Sequence, residues 1–459
     1  MGSQAMESKL HIMMIIFPAQ GHINPMLHFS KRLATKGLKI TLVTTNPTPI
    51  ATAATSTSPD PINVETIGFG PSNKPETIAD HINRYKETML LNLPKIITNH
   101  SIKGDPIKVL VYDAVMPWAL DLCQPLGIKG AAFFTQSCAV TSIYYHKYKG
   151  TLDVPNDGSL VNMPGVKPIL GICDLPSFIY DLGYQPSMLK VVVEQSLNYG
   201  KADWLFFNSF DMLEDEVVKW MANQWPIKTI GPAIPSKFLD KHLKEDHNYG
   251  LDLFKPDTEA CINWLDTKPT GSVVYISFGS LATLGENNME ELAMGLMNSG
   301  AQFLWVVRSP EQSKLPSNFL TDTSERSLVV NWCPQLEVLA HQAVGCFVTH
   351  CGWNSTLESL SLGVPMVAMP QWTDQTTNAK YIVDVWEAGV RVKVGENGIA
   401  SREEIEICIR EVMEGERGIE IKRNALRWKE LAIQAVDEGG SSDKNIDEFI
   451  SELENTQCA

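Results

Sequence analysis

The chain has 459 residues, a formal net charge of −15, and 44% hydrophobic and 20% charged residues. This length is too great for one typical core, so we expect two domains. The negative charge argues against a nucleic-acid partner, because a phosphate backbone would be repelled. No apolar run is long enough to span a bilayer, and the N-terminal HIMMIIF is too short for the core of a signal peptide. Nine scattered cysteines, an odd number, favour reduced thiols and a cytosolic protein.

The first half of the chain alternates short apolar strands with helices. We predict strands at residues 11–17 and in LKITLVTT, KVLVYD and KGAAFF. The first helix is expected from about residue 24 to residue 36, with Asn24 as its cap and Pro25 in its first position. After IKTIGP the sequence becomes charged in KFLDKHLKEDHNYG, which is typical of a linker. We therefore expect an N-terminal domain at 6–240 and a linker at 241–257.

The second half repeats this alternation, and we place a second domain at 258–440. SVVYISFG, FLWVVR, SLVVNW, GCFVTH and VPMVAMP read as strands, and NMEELAMGLMNSG as a helix. SREEIEICIREVMEG carries a capping box in Ser401 and Glu404 and predicts another helix. Strands that alternate with helices imply parallel sheets covered on both faces. The sequence thus predicts two doubly wound α/β domains that face across a cleft, with ligands at the carboxyl ends of the strands.

Residues 332–375 contain no Lys or Arg but have the layout of an anion site. A short apolar strand, CFVTH, is followed by Gly352 and by an N-S-T sequence that opens a helix. A helix start presents unpaired N–H groups and the positive end of its dipole, so it can hold a diphosphate. His350, Ser355 and Thr356 can add donors, and such a site suits a leaving group. N-S-T is also a glycosylation sequon; a glycan there would block the anion site, so the cytosol remains the expected location.

The same stretch resembles the signature box of the plant family-1 UDP-glycosyltransferases. The resemblance extends from HIMMIIFPAQGHINP to EGGSSDKNIDEF and is greatest to the subgroup that glucosylates salicylate, auxin-type acids, steroids and triterpenes. It implies a GT-B fold of two Rossmann-like domains, a monomer, and a last helix at 441–459 that crosses back onto the first domain. It also implies UDP-glucose as donor co-substrate with no other cofactor. The matching positions are Trp332, Gln335, Leu339, His341, Phe347, Thr349, His350, Gly352, Ser355, Glu358, Gly363, Pro365, Pro370, Asp374 and Gln375.

The resemblance assigns the donor site residue by residue. It makes Trp332 the platform for uracil and places the Glu358 carboxylate on the ribose, although Ser355-x-x-Glu358 also reads as a capping box. Asp374 and Gln375 would bond adjacent sugar hydroxyls, and glutamine at the last position goes with glucose donors in the family. The whole donor set that we expect is Gly279, Ser280, Thr283, Trp332, Cys333, Gln335, His350, Gly352, Trp353, Asn354, Ser355, Glu358, Thr373, Asp374 and Gln375.

His22 and Asp113 are the expected catalytic pair. A lone loop histidine is more often structural, and Asp113 alone would read as a helix cap. The resemblance makes His22 the catalytic base and Asp113 the carboxylate that holds its imidazole and stabilises the imidazolium. Because His22 precedes a helix, we expect the positive helix end to keep the imidazole neutral.

A metal site is not expected. Zinc-type residues occur at Cys333, His341, Cys346, His350 and Cys351, but their spacing lacks a C-x-x-C or H-x-x-x-H element. No D-x-D pair occurs in the sequence, so a magnesium-bridged diphosphate is not supported either.

The acceptor-binding residues are the part of the site that the sequence predicts least clearly. The resemblance points to the first domain, and the Met- and aromatic-rich helices suggest an apolar cavity, although each residue taken singly reads as core. We expect an inverting UDP-glucose-dependent O-glucosyltransferase acting on a small hydrophobic phenol, flavonoid, steroid or terpenoid. A transferase that forms glucose esters with carboxylic acids is the alternative, and a non-catalytic UDP-sugar binder is the third hypothesis. The acceptor residues that we expect are Gln20, Tyr85, Thr135, Gln136, Tyr144, Phe178 and Trp372.

Overall fold

The computed structural model describes residues 10–45, 62–70, 72, 76–154, 159–181, 186–242 and 255–457. Most of the predicted linker at 241–257 lies outside these residues. Among the helices of the described part, none offers an apolar stretch that could cross a bilayer.

Seven parallel strands form the first sheet, in the order β3-β2-β1-β4-β5-β8-β9. The strand order reverses between β1 and β4, and this is the point at which a doubly wound sheet opens a crevice. A separate antiparallel hairpin is formed by β6 and β7. The strands are β1 His11–Ile15, β2 Lys39–Thr45, β3 Asn63–Ile67, β4 Val109–Asp113, β5 Lys129–Phe134, β6 Val161–Met163, β7 Val166–Leu170, β8 Trp204–Phe207 and β9 Ile227–Thr229.

The central strands of this sheet are buried on both faces, because alternate residues of these strands belong to different cores. Met13 and Ile15 pack on one face, and Ile12 and Met14 on the other. The near-continuous apolar runs seen in the sequence follow from this two-sided burial. The helices of this half are α1 Gln20–Thr35, α2 Ile78–Ile102, α3 Trp118–Cys123, α4 Cys138–Tyr148, α5 Ser177–Tyr180, α6 Pro186–Glu194 and α7 Asp215–Ala222.

Helix α1 begins four residues earlier than predicted. Ala19 is its N-cap, so Asn24 does not cap the helix and Pro25 lies inside it rather than in its first position. A proline inside a helix leaves the carbonyl four residues earlier without its usual partner. In α1 that carbonyl belongs to Gly21.

Six parallel strands form the second sheet, in the order β12-β11-β10-β13-β14-β15, and the order reverses between β10 and β13. The strands are β10 Val273–Ser277, β11 Gln302–Val306, β12 Ser327–Val330, β13 Val344–Thr349, β14 Met366–Ala368 and β15 Gly389–Arg391. The helices are α8 Thr258–Asp266, α9 Glu286–Ser299, α10 Phe319–Asp322, α11 Gln335–Ala340, α12 Trp353–Leu362, α13 Gln375–Asp384, α14 Arg402–Glu414 and α15 Glu416–Val436.

The predicted capping box of α14 is half formed. The Ser401 side chain accepts the Glu404 N–H at 3.3 Å, but the Glu404 carboxylate accepts the N–H of Lys393 instead of returning to Ser401. The two doubly wound parallel sheets nevertheless have the architecture predicted from the sequence.

The last helix, α16 (Ser441–Gln457), packs against the first sheet. The ring of Phe449 lies 4.9 Å from that of Trp204 and 5.0 Å from that of Phe206. At the start of the helix, the Ser442 hydroxyl donates to the Gly231 carbonyl at 2.6 Å. The end of the chain therefore adds to the core of the first half.

Candidate active site

A cavity of about 320 Å³ lies where the carboxyl ends of the two sheets face each other. Its walls come from the loops that follow β1, β4 and β5 on one side and β10, β12, β13 and β14 on the other. The predicted site residues that line it are Gln20, His22, Asp113, Thr135, Gln136, Phe178, Gly279, Ser280, Trp332, Cys333, Gln335, His350, Gly352, Trp353, Asn354, Ser355, Glu358, Trp372, Thr373, Asp374 and Gln375.

His22 and Asp113 meet at the point where the strand order of the first sheet reverses. Asp113 is the last residue of β4 and is 1% exposed, whereas His22 lies in the first turn of α1 and is 25% exposed. The His22 Nδ1 lies 2.6 Å from the Asp113 Oδ2, and the Thr135 hydroxyl lies 3.3 Å from the same nitrogen. The other Asp113 oxygen accepts the Val115 N–H at 3.1 Å. With Nδ1 bonded to the carboxylate, Nε2 is the atom that can accept a proton in the cavity.

The electrostatics of this pair differ from our expectation of an imidazole kept neutral by the helix end. Burial disfavours the imidazolium, but the charge and hydrogen bond of the Asp113 carboxylate, together with the charge of Asp374, outweigh it. The pKa of His22 is therefore raised above its ordinary value. The pair is therefore arranged to stabilise the protonated base, as proton abstraction requires.

The N-terminus of α12 faces the cavity without a side-chain cap. Gly352 is the N-cap, and the first intrahelical bond runs from the Thr356 N–H to the Gly352 carbonyl at 2.9 Å. The N–H groups of Trp353, Asn354 and Ser355 precede that bond and are the donors with which a helix start holds an anion. The helix starts two residues before Ser355, so Ser355 is not its cap and the capping-box interpretation of this segment is wrong.

His350 lies beside this helix start without adding charge. Burial, assisted by repulsion from Arg308, lowers the pKa of His350 to about 4, so the imidazole is neutral at pH 7. A Cβ built on Gly352 would lie 2.5 Å from the His350 Nε2, and one built on Gly279 would lie 2.9 Å from the same ring. Both glycines therefore leave room for the imidazole between the start of α12 and the loop after β10.

Arg308 organises the loop after β10, which carries Gly279 and Ser280. Its two terminal nitrogens donate to the carbonyls of Ser280 and Ala282. Nothing in the sequence around Arg308 pointed to this role.

A hydrogen-bonded chain orders the end of the cavity near Trp332. The Tyr275 hydroxyl donates to the Gln335 Oε1 at 2.9 Å, and the Gln335 Nε2 donates to Glu358 at 2.6 Å and to the Ser355 hydroxyl at 2.9 Å. Glu358 is 3% exposed, so this amide bond helps to keep its carboxylate in place. Sequence reasoning missed Tyr275, because a tyrosine inside a buried strand reads as core.

Asp374 and Gln375 lie at the start of α13. Burial raises the pKa of the Asp374 carboxyl to about 6, although the Asn378 side chain donates to it at 2.8 Å. The Gln375 Oε1 accepts the N–H groups of Gln371 at 2.9 Å and Trp372 at 3.1 Å. Any bond from Gln375 to a sugar therefore comes from its amide nitrogen.

Two side chains at the start of α12 bond to the first half of the chain. The Trp353 Nε1 donates to the Asn208 carbonyl at 2.7 Å, and the Asn354 Nδ2 donates to the Gly21 carbonyl at 2.8 Å. Gly21 immediately precedes His22. The helix whose N-terminus faces the cavity thus contacts the turn that carries His22.

The remaining wall of the cavity is largely apolar with a few amides. The rings of Phe178 and Trp372 meet edge to face at 5.8 Å, and the Gln136 amide donates to the Gln195 Oε1 at 3.1 Å. Gln195 was not predicted. It follows α6, whose Met188, Val191 and Val192 also line the cavity. The only signal in the sequence was the apolar run PSMLKVVVE.

Three predicted site residues do not line the cavity. Thr283 is exposed on its loop. Tyr85 is 1% exposed and donates its hydroxyl to the Ile16 carbonyl at 2.8 Å. Tyr144, in α4, is also 1% exposed and belongs to the same hydrophobic core as Tyr85. Both tyrosines are therefore core residues.

No metal group forms at the cavity within the described part of the chain. There, the ligand-type side chains close enough to share an ion are His11, His100 and Asp105, with atoms within 4.8 Å of one another. They lie at the amino end of β1, away from the cavity. Asp105 is already paired with the Lys39 ammonium at 2.6 Å, so a hydrogen-bonded ion network accounts for this group.

Comparison with known proteins decides the family. A sequence profile described as UDP-glucoronosyl and UDP-glucosyl transferase matches residues 246–432, and one described as glycosyltransferase, N-terminal domain, matches residues 8–71. UDP-glucosyltransferase 74AE2 of Panax ginseng is 50% identical over 454 residues, covering 98% of this chain and 99% of that protein. The chain belongs to the plant family-1 UDP-glycosyltransferases. A second relative, Mogroside I-E synthase of Siraitia grosvenorii, is 47% identical over 449 residues and covers 97% and 99% of the two chains.

The solved structures agree with this family assignment. Os79 from O. sativa in complex with UDP superposes with a TM-score of 0.87 and 40% identity, covering 96% of this chain and 100% of that chain. The predicted GT-B fold is confirmed, and so is the prediction of a glycosyltransferase enzyme. Membership of this family sets aside the hypothesis of a non-catalytic binder.

Proposed function

We propose that this UDP-glycosyltransferase is an inverting, UDP-glucose-dependent O-glucosyltransferase acting on a small hydrophobic acceptor. The observation that carries the proposal is the His22–Asp113 pair, joined at 2.6 Å and lining the same cavity as the uncapped start of α12. A base and an anion pocket in one cavity suit direct displacement at the anomeric carbon. Glucose as the sugar draws support from the relatives named as glucosyltransferases and from Gln375 at the end of the signature box.

In this mechanism the acceptor hydroxyl gives its proton to the His22 Nε2 as its oxygen attacks the anomeric carbon. Asp113 stabilises the imidazolium that forms. The bond to the diphosphate breaks on the opposite face of the sugar, so the product is a β-glucoside. The N–H groups at the start of α12 and the His350 side chain receive the growing charge on UDP. No step in this scheme requires a divalent cation.

The proposal divides the cleft between the two halves. We assign acceptor binding to residues 6–240, where Gln20, Gln136 and Phe178 line the apolar side of the cavity. We assign donor binding to residues 258–440, with Trp332 under uracil and Glu358 at the ribose. The free state of all eight cysteines in the described part supports a cytosolic enzyme.

The test is a mass-spectrometric transfer assay with UDP-glucose, with chelator present. The acceptors are phenols, flavonoids, steroids, triterpenes and aromatic acids, and each product is then treated with mild alkali. Alkali-stable hexose adducts on hydroxyl acceptors are expected. Alkali-labile adducts confined to acids would replace the proposal with glucose-ester formation. The variant His22→Ala should lose about 10²–10⁴-fold in rate with hydroxyl acceptors while UDP binding, measured by calorimetry, survives.

A further inference from the structure

One side chain connects the anion pocket to the catalytic turn. We propose that Asn354 is a positioning residue that fixes the turn carrying His22, and that Pro25 makes this possible by leaving the Gly21 carbonyl free to accept its amide. This inference rests on the proposed role of His22 as the base. We call the bond from the Asn354 Nδ2 to the Gly21 carbonyl the cross-cleft link.

Pro25 creates the acceptor of the cross-cleft link. In a regular α-helix the N–H of residue 25 would donate to the carbonyl of residue 21. Proline has no N–H, so the Gly21 carbonyl has no such partner within α1. Asn354 supplies the missing donor at 2.8 Å, from a position 333 residues away in the sequence. Because a carbonyl only accepts, the bonded atom of the Asn354 amide is its nitrogen.

Asn354 is well placed to couple the two reacting groups. It is the second residue of α12, and its backbone N–H precedes the first intrahelical bond of that helix. Its main chain therefore faces the anion pocket while its side chain bonds to the residue directly before His22. A shift of α12 relative to the first domain would move the base relative to the leaving group, so the cross-cleft link fixes their separation.

The neighbouring contact shows that this is more than a general contact between domains. Trp353 also donates across the cleft, but its acceptor is the Asn208 carbonyl, which lies after β8 and is remote in sequence from the catalytic pair. Trp353 can hold the domains together without touching the turn of His22. Only the bond from Asn354, of the two, reaches that turn.

The variant Asn354→Ala tests the proposal, since it removes the side chain and keeps the backbone N–H. With a hydroxyl acceptor and saturating UDP-glucose, we expect kcat to fall about tenfold while the Kd of UDP changes by less than about threefold. The matched control is Pro25→Ala, which gives residue 25 an N–H that can bond the Gly21 carbonyl within the helix. In that background, Asn354→Ala should cost less than about threefold in kcat, so the two changes are not additive.

A second measurement does not depend on turnover. The His22 ring can be followed by NMR in protein labelled with ¹³C-histidine, with His22→Gln providing the assignment. We expect Asn354→Ala to move the pKa of His22 back toward the ordinary value of 6.5, because its turn is no longer held against Asp113. The positioning role would be overturned if Asn354→Ala changed neither kcat nor the titration of His22. It would also be overturned if Asn354→Ala lowered kcat equally in the wild-type and Pro25→Ala backgrounds. Absence of transfer by the wild-type enzyme would instead refute the proposed function, and the NMR titration would still decide the role of Asn354.

Discussion

Replacing Asp113 by Asn removes the charge that faces the proposed base while keeping the size of the side chain. The Asp113 carboxylate lies 2.6 Å from the His22 Nδ1 and is 1% exposed. Two unit charges about 4 Å apart are worth about 4 kcal/mol at an effective dielectric constant of about 20, and a hydrogen bond to a charged group is worth about 1.5–3 kcal/mol. Since about 1.4 kcal/mol is a factor of ten, we expect Asp113→Asn to lower kcat/KM for a hydroxyl acceptor by about 10²–10³-fold.

The pH dependence of kcat/KM tests the same prediction, because Asp113→Asn should shift it in a defined direction. His22 acts only when neutral, so activity falls as the pH drops through its pKa, which is raised in the native enzyme. In Asp113→Asn the carboxylate no longer opposes the effect of burial, which lowers the pKa of His22. The midpoint of the acid limb should therefore move to lower pH. The assay is kcat/KM against pH by product mass spectrometry, with UDP affinity measured in parallel as a control for folding. A loss of less than about threefold, or an acid limb that does not move, would refute the dyad. A carboxylic-acid acceptor should be affected far less, since it is already ionised.

Three further predictions concern the donor side. Glu358→Ala should weaken UDP binding about 10–100-fold by calorimetry, because it removes the carboxylate proposed for the ribose; unchanged affinity would place the ribose elsewhere. The KM for UDP-glucose should rise as the pH falls below about 6, where Asp374 becomes protonated, and Asp374→Asn should abolish that pH dependence. Gly352→Ala should weaken UDP binding at least about tenfold, since its Cβ would lie 2.5 Å from the His350 Nε2. The control is Gly285→Ala, at another helix N-cap, where a Cβ would have nothing within 4 Å; this variant should bind UDP with an affinity within about threefold of wild type.

Much of the fold could be predicted because burial on both faces of a parallel sheet leaves uninterrupted apolar runs. KGAAFF became β5 without a shift of either end. The start of α1 was misplaced for an equally physical reason. Pro25 fits the first position of a helix, but the structure places it in the sixth, where a donor from a distant segment bonds the Gly21 carbonyl. That donor is Asn354, and a local pattern cannot reveal it.

The residues of the site also fall into those that the sequence could predict and those that it could not. The signature box predicted many residues that line the second domain's side of the cavity, because these residues are close in sequence and their spacing is fixed. Gln195 and Met188 were missed because an apolar helix reveals which face is buried but not which cavity it borders. Tyr85 and Thr283 were placed in the site by resemblance alone, and the packing of their own segments put one in the core and the other in solvent.

The charges that develop in the proposed mechanism explain why a pocket for the UDP diphosphate needs no lysine or arginine in residues 332–375. In the proposed mechanism, positive charge grows on His22 and negative charge grows on the leaving UDP, at opposite sides of one cavity. Asp113 would stabilise the positive charge, and the dipole of α12, equivalent to about half a positive charge, would stabilise the negative charge. A full cation at the helix start would hold UDP more strongly after the reaction as well as during it. In the proposed mechanism, N–H dipoles and a neutral His350 stabilise the leaving group while still allowing the product to depart.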